Sequence, residues 1–211
     1  MEEHVDAGWT VAAARIISIV FHPIFMPMAG FYLLFSMLPY NFTASYFVFI
    51  IGLSILFNTV LLPAYFIWLL KKRGTISSYY MPSRTERKYP LLFEAISLTV
   101  NYYFFRKSGL PAVLQSYLLA AVAVSVFAML VNLWFRISLH GLGIGSLLGM
   151  ALASSTYTTG DYRWLLGLLV FACGTVGTAR LVLKAHYPAE VYVGIGSGAI
   201  IMWLSMYMQL H

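Results

Sequence analysis

The sequence predicts an all-α protein, a polytopic bundle of about six to seven transmembrane helices with a functional site at one membrane face. Three observations predict it. Of 211 residues, 61% are hydrophobic and only 9% charged, where a soluble domain carries roughly 25% charged residues. Mean hydropathy is +0.81, and apolar runs of about 20 residues, long enough to cross a bilayer as helices, recur along the chain. The ionisable residues gather in a few short clusters between those runs.

No polar stretch is long enough to fold alone, so residues 1–211 read as a single integral-membrane domain. The net charge of +6 sits in a few loops. In a membrane protein such charge speaks to topology and anionic ligands and argues against nucleic-acid binding. The lone Cys173 excludes an internal disulfide and a cysteine metal cluster. The start, Met1-Glu2-Glu3-His4-Val5-Asp6, lacks the basic opening of a cleaved signal peptide.

Seven apolar runs follow in order. The first, 11–38, is interrupted by His22-Pro23 and Pro27, and the second, 44–70, carries Asn58 and Pro63. The longest polar stretch, Lys71 to Pro90, separates them from a short run, 91–106, whose Glu94 and Asn101 suggest a half-span. The remaining runs are 111–134, 141–158, 163–179 and 188–209. Gly141, Gly143, Gly145, Gly149, Gly194, Gly196 and Gly198 favour close packing of the later helices. Counting crossings from the 71–90 loop brings three polar clusters, and the amino terminus, to one face. Only Arg106, Lys107, Asp161 and Arg163 go to the other.

Those clusters carry the chemistry. In Ser83-Arg84-Thr85-Glu86-Arg87-Lys88-Tyr89-Pro90, Arg84 and Arg87 share one face of a helix and could grip a phosphate. The other reading is a solvated basic loop that sets topology. In Arg136-Ile137-Ser138-Leu139-His140-Gly141, His140 could act as a general acid and Ser138 as a hydroxyl donor to an anion, beside the amides of a helix start. The other reading is an interfacial histidine with a capping serine. The third cluster joins Arg180, His186 and Glu190. Glu190 lies four residues after His186, in reach of its imidazole, and Pro188 suits the first turn of a helix. Nucleophile, orienter and anion clamp can therefore come from one segment. Two alternatives are a metal site on His186 and Glu190 with His140 as third ligand, disfavoured by the arginines around it, and an Arg180–Glu190 salt bridge. His22 and Glu94 are expected to pack or hydrogen-bond without a chemical role.

Together these residues resemble the type-2 phosphatidic-acid phosphatase superfamily over about residues 84–194. Its third signature is Ser-Arg, five residues, His, three residues, Asp. Here it reads Ala179-Arg180, five residues, His186, three residues, Glu190. The second, Pro-Ser-Gly-His, is seen as Ile137-Ser138-Leu139-His140. The first, Lys, six residues, Arg-Pro, is poorly kept: Tyr89 precedes Pro90, with Arg84, Arg87 and Lys88 as the nearby cations.

The resemblance implies a lipid phosphatase. His186 would form a phosphohistidine, Glu190 would hold its ring, and His140 would protonate the leaving alkoxide. Arg180, Ser138 and one or more of Arg84, Arg87 and Lys88 would bind phosphate. No cofactor or metal is implied. The substrate would be a phospholipid, polyprenyl-diphosphate or lipid A phosphate held at the bilayer. The setting would be the plasma (inner) membrane with the site on its outer face, although counting lysines and arginines alone favours the cytoplasmic side. An anion or lipid transporter and a catalytically dead scaffold of the same fold are the alternative functions.

Overall fold

The computed structural model describes residues 8–38, 45–79, 81, 83–107 and 109–210; the acidic amino-terminal residues lie outside them. It is all-helical, with 81% helix and no strand among the described residues. Among the described residues nine α-helices run in order: α1 (Trp9–Val20), α2 (Met26–Ser36), α3 (Ser45–Leu56), α4 (Leu62–Lys72), α5 (Arg84–Phe105), α6 (Ala112–Val131), α7 (Leu139–Tyr157), α8 (Arg163–Val182) and α9 (Pro188–Leu210). Among the described residues five stretches are long and apolar enough to cross a membrane: Trp9–Ser36, Phe49–Lys72, Ala112–Val131, Arg163–Val182 and Pro188–Leu210. Large apolar side chains such as Phe104, Trp164 and Phe171 lie exposed on the outside, as they do on a surface solvated by lipid.

The first run is two helices. Pro23 restricts His22 to extended backbone (φ −65°, ψ 135°), and a short 3₁₀ turn, Pro23–Phe25, follows. Past this break α2 packs on α7. Met26 sits against Gly143, and the carbonyl of Met37 accepts a 2.9 Å hydrogen bond from the hydroxyl of Tyr162 just before α8. Before the break, Trp9, Thr10 and Ala13 share a groove with Phe171, Gly174 and Thr175 of α8, while Ser18 reaches Arg180. The pair thus folds back on itself at His22. The expected placement of the amino terminus lies outside the described residues.

The expected half-span 91–106 is the latter part of a 22-residue helix, α5. Ser83 caps it by accepting from the amide of Glu86 at 3.3 Å, and the helix runs through Pro90. The proline marks no boundary here because it lies in the second turn, where only one intrahelical bond is lost. Between α3 and α4 a π-helical segment, Phe57–Leu61, precedes Pro63. The carbonyl of Asn58 in that segment accepts a 2.7 Å bond from Ser97 of α5, which ties the two spans at mid-height.

α7 and α9 form the closest packing in the molecule. A Cβ built at Gly145 or Gly149 would collide with the carbonyl of Ile195 or Ala199, and one at Gly198 would collide with that of Leu142. Only glycine lets the two backbones approach so far. The helices run side by side in the same direction, so both begin at the same end of the bundle. There the amide of Ser138 donates to the carbonyl of Glu190 at 3.1 Å. Asn132, in the α6–α7 loop, donates to the carbonyl of Arg84 at 3.0 Å. The starts of α5, α7 and α9 and the break between α1 and α2 therefore meet at one end, as the crossing count expects for the three clusters.

Candidate functional site

His186 and Glu190 form the floor of the site. After α8 the chain turns through Lys184, in the left-handed region at φ 49°, and enters α9 at Pro188. Glu190 is the third residue of α9. From there its carboxylate reaches back to the amide of Tyr187 at 3.2 Å, satisfying a donor at the helix start. The same oxygen, Oε2, accepts from Nδ1 of His186 at 2.7 Å. Both side chains are buried, each residue 8% exposed. With its Nδ1 proton directed to the carboxylate, the neutral ring carries its lone pair on Nε2. Burial pushes the His186 pKa below its ordinary value, opposed by the bond to Glu190 and reinforced by the charges of Arg87 and Arg180. The ring is therefore neutral at pH 7, the state a nucleophile requires.

Three guanidiniums surround this pair. Arg180 lies in the last turn of α8, Arg136 in the α6–α7 loop and Arg87 in the first turns of α5. Arg87 lies within electrostatic range of Arg136, Arg180 and Glu190, and Arg180 of Arg136. Arg87 is buried and held by the carbonyl of Met81 at 2.9 Å. Nη1 of Arg180 donates to the hydroxyl of Ser18 at 3.1 Å. The Nε atoms of Arg136 and Arg180 are buried with no hydrogen-bond partner among the described residues. An unpaired buried guanidinium N–H is costly, and native structures rarely leave one without a ligand or water to receive it.

His140 is the second residue of α7, and Nε2 of its ring bonds the carbonyl of Ser18 at 3.0 Å. A carbonyl only accepts, so this nitrogen carries a proton. The ring of His22 meets it edge-on at 5.5 Å. His140 interacts electrostatically with both Arg180 and His186, so both histidines belong to one site.

The structure thus brings together His186, Glu190, His140, Arg180 and Arg87. Ser138 is fully buried, and its oxygen caps α7 by accepting from the amide of Gly141 at 3.3 Å. Its observed role is that cap. Arg84 and Lys88 are not drawn in. Arg84 is exposed and donates to the carbonyls of Leu133 and Trp134, and Lys88 is exposed and lies over the ring of Tyr89 at 4.8 Å. Of the three cations in the first cluster only Arg87 faces the site. No Arg180–Glu190 ion pair forms. Among the described residues no group of three or more histidine, cysteine or acidic side chains is arranged to hold a metal ion.

Sequence reasoning assigned no role to Arg136, Ser18 or His22. Arg136 had a signal, since it stands four residues before His140. Ser18 had none, because an isolated serine in an apolar helix is unremarkable. Beneath the polar groups lies an apolar cavity of about 120 Å³ whose walls include Pro23, Leu91, Glu94, Leu139, Leu142 and Gly143. Pro23 and Leu139 are chain neighbours of His22 and His140, so the cavity adjoins the site. Comparison of the chain with protein-family models, with curated proteins and with solved structures finds no match.

Proposed function

We propose that the chain is a multi-pass membrane phosphatase that hydrolyses a lipid phosphate monoester or diphosphate through a phosphohistidine on His186. The observation that carries the reading is the buried His186–Glu190 pair beside three arginines, two of which have an unpartnered Nε. Such a group supplies a nucleophile and a cationic cradle in one place. Phosphoryl transfer needs mainly positioning and neutralisation of the non-bridging oxygens, and arginine forks supply both. The apolar cavity next to the site supports an amphiphilic substrate.

In this reading Nε2 of His186 attacks phosphorus in line with the ester oxygen. The P–O bond to the lipid breaks, and His140, whose ring burial and the charge of Arg180 keep neutral before substrate binds, takes the proton of the bound monoester monoanion at Nδ1 and passes it to the departing alkoxide. Glu190 stabilises the positive charge that develops on the His186 ring. Water then attacks the phosphohistidine, His140 takes a proton from it, and the P–N bond breaks to release phosphate. Arg87, Arg136 and Arg180 hold the equatorial oxygens in both steps. We place the site on the outer face of the plasma membrane, the side on which lipid phosphatases of the resembled superfamily commonly act.

The test is phosphate release from a panel of lipid monoesters and diphosphates by purified, detergent-solubilised protein. Release by wild type and its loss in His186→Ala support the reading. Phosphate binding or exchange across liposomes without hydrolysis would replace it with a transporter. Neither activity on any lipid would leave a scaffold.

A further inference from the structure

Among the described residues Ser18 hydrogen-bonds both the proposed acid and an anion-binding arginine. It lies in the last turn of α1 (Trp9–Val20). A helix end leaves carbonyls without intrahelical partners, and together they form the negative end of the helix dipole. The donor that would normally close on Ser18 is the amide of His22, four residues on. That amide instead bonds the carbonyl of Ile19 at 3.2 Å, because the backbone leaves the helical region at Phe21 (φ −96°, ψ 34°), just ahead of the extended His22 that Pro23 requires. The Ser18 carbonyl is thereby free of the helix ladder, and Nε2 of His140 takes it at 3.0 Å. The Ser18 hydroxyl, on the same buried residue, accepts from Nη1 of Arg180 at 3.1 Å. Apart from Ser18, the only buried residue of α1 is Ala14, while Ile17 and Phe21 are half-buried against the core beside α8.

We propose that the carboxyl end of α1 belongs to the catalytic apparatus and that Ser18 is its positioning residue. Its carbonyl holds the Nε2–H of His140, so that the ring can accept and deliver a second proton at Nδ1 while the dipole of α1 stabilises the imidazolium. Its hydroxyl fixes the fork of Arg180 for the anion. The Pro23 break is what frees the carbonyl for this use. The inference rests on the phosphatase reading.

Two substrates separate the two arms. An alkyl phosphate needs a proton on its leaving group; p-nitrophenyl phosphate does not. Pro23→Ala lets His22 join the helix and reclaim the Ser18 carbonyl. It is expected to lower kcat/KM, which reports the step that forms the phosphohistidine, by about ten- to a hundred-fold for the alkyl phosphate, within the range of general-acid effects, and to leave kcat/KM for p-nitrophenyl phosphate within about twofold. Ser18→Ala is expected to raise KM for both substrates by about tenfold with little change in kcat, as for loss of one bond to a charged group, and Ser18→Thr to restore it. An equal fall of kcat/KM on both substrates in Pro23→Ala, or no fall on either, overturns the carbonyl role. An unchanged KM in Ser18→Ala, or no rescue by Ser18→Thr, overturns the hydroxyl role. Wild type that hydrolyses neither substrate overturns the phosphatase reading itself, and Ser18 with it.

Discussion

Oε2 of Glu190 accepts from Nδ1 of His186 and from the amide of Tyr187, at 2.7 Å and 3.2 Å. One oxygen thus fixes both the tautomer of the ring and the start of the helix that carries the carboxylate. Glu190→Gln keeps the size of the side chain and removes its charge. By analogy with the orienting carboxylate of other triads, kcat is expected to fall by roughly ten- to a thousand-fold. His186→Ala should abolish turnover while the protein still inserts. A rate in Glu190→Gln equal to wild type would reduce Glu190 to a helix cap. Because burial and the arginines lower the His186 pKa, the neutral ring persists into mild acid. The acid limb of kcat/KM should lie below the ordinary histidine value of about 6.5. A limb above that value would contradict the assignment.

The arginines divide by where their guanidiniums go. Arg136 and Arg180 keep unpartnered Nε atoms in the interior, whereas Arg84 binds loop carbonyls and Lys88 covers Tyr89. Replacing Arg136, Arg180 or Arg87 with lysine should weaken inorganic phosphate binding by about tenfold or more, since lysine lacks the planar fork. Arg84→Ala and Lys88→Ala should change phosphate affinity by less than about twofold, the scale of exposed charge effects. Equal losses at Arg84 and Arg136, measured by phosphate competition, would count against this grouping.

The α7–α9 interface is a separate lever on the site. Gly145→Ala adds a methyl where the carbonyl of Ile195 already sits. Such overpacking costs about 1–3 kcal/mol, and parting these helices also pulls Ser138 from Glu190. Gly174→Ala, on α8, meets nothing within 4 Å and should be neutral or slightly stabilising, as alanine for glycine in a helix is by up to about 1 kcal/mol. Thermal unfolding in detergent should separate the two variants. Equal midpoints would mean that α7 and α9 are not locked together.

The site's positive field sets its response to cations. At an effective dielectric near 20, unit charges about 4 Å apart interact by roughly 4 kcal/mol, so three clustered guanidiniums repel a divalent ion. Activity should survive excess EDTA and be blocked by vanadate, whose five-coordinate form mimics the in-line transition state. Loss in EDTA with recovery in magnesium or zinc would return His186 and Glu190 to the metal-ligand reading.

Orientation is open to chemical labelling. Cys173 is buried, so wild type gives a low background. A cysteine at Ser78, in the loop between α4 and α5, should react with an impermeant reagent in intact cells; one at Gly160, between α7 and α8, should not. Reaction only at Gly160 would turn the site to the cytoplasm.

How much of this was legible in the sequence depends on whether a contact is local. His186 and Glu190 are four apart on one helical turn, so their pairing could be read directly. Counting crossings was enough to gather Arg87, His140 and His186 at one end. The choice of Arg87 over Arg84 and Lys88 was not legible, because it depends on which face of α5 turns toward Arg136, Arg180 and Glu190. Nor was the role of Ser18, which is set by a distant contact across 122 residues and by a helix end that only Pro23 hinted at. Pro90 misled for the opposite reason. Read as a boundary, it sits inside α5, where neighbouring helices hold the backbone in place.

The most direct test of the central claim is a rapid-quench experiment with lipid carrying a ³²P-labelled phosphate. The account predicts transient, acid-labile and base-stable labelling of the protein at His186 that forms no more slowly than phosphate is released and is absent from His186→Ala. Phosphate release by wild type with no labelled protein at any time point would contradict it.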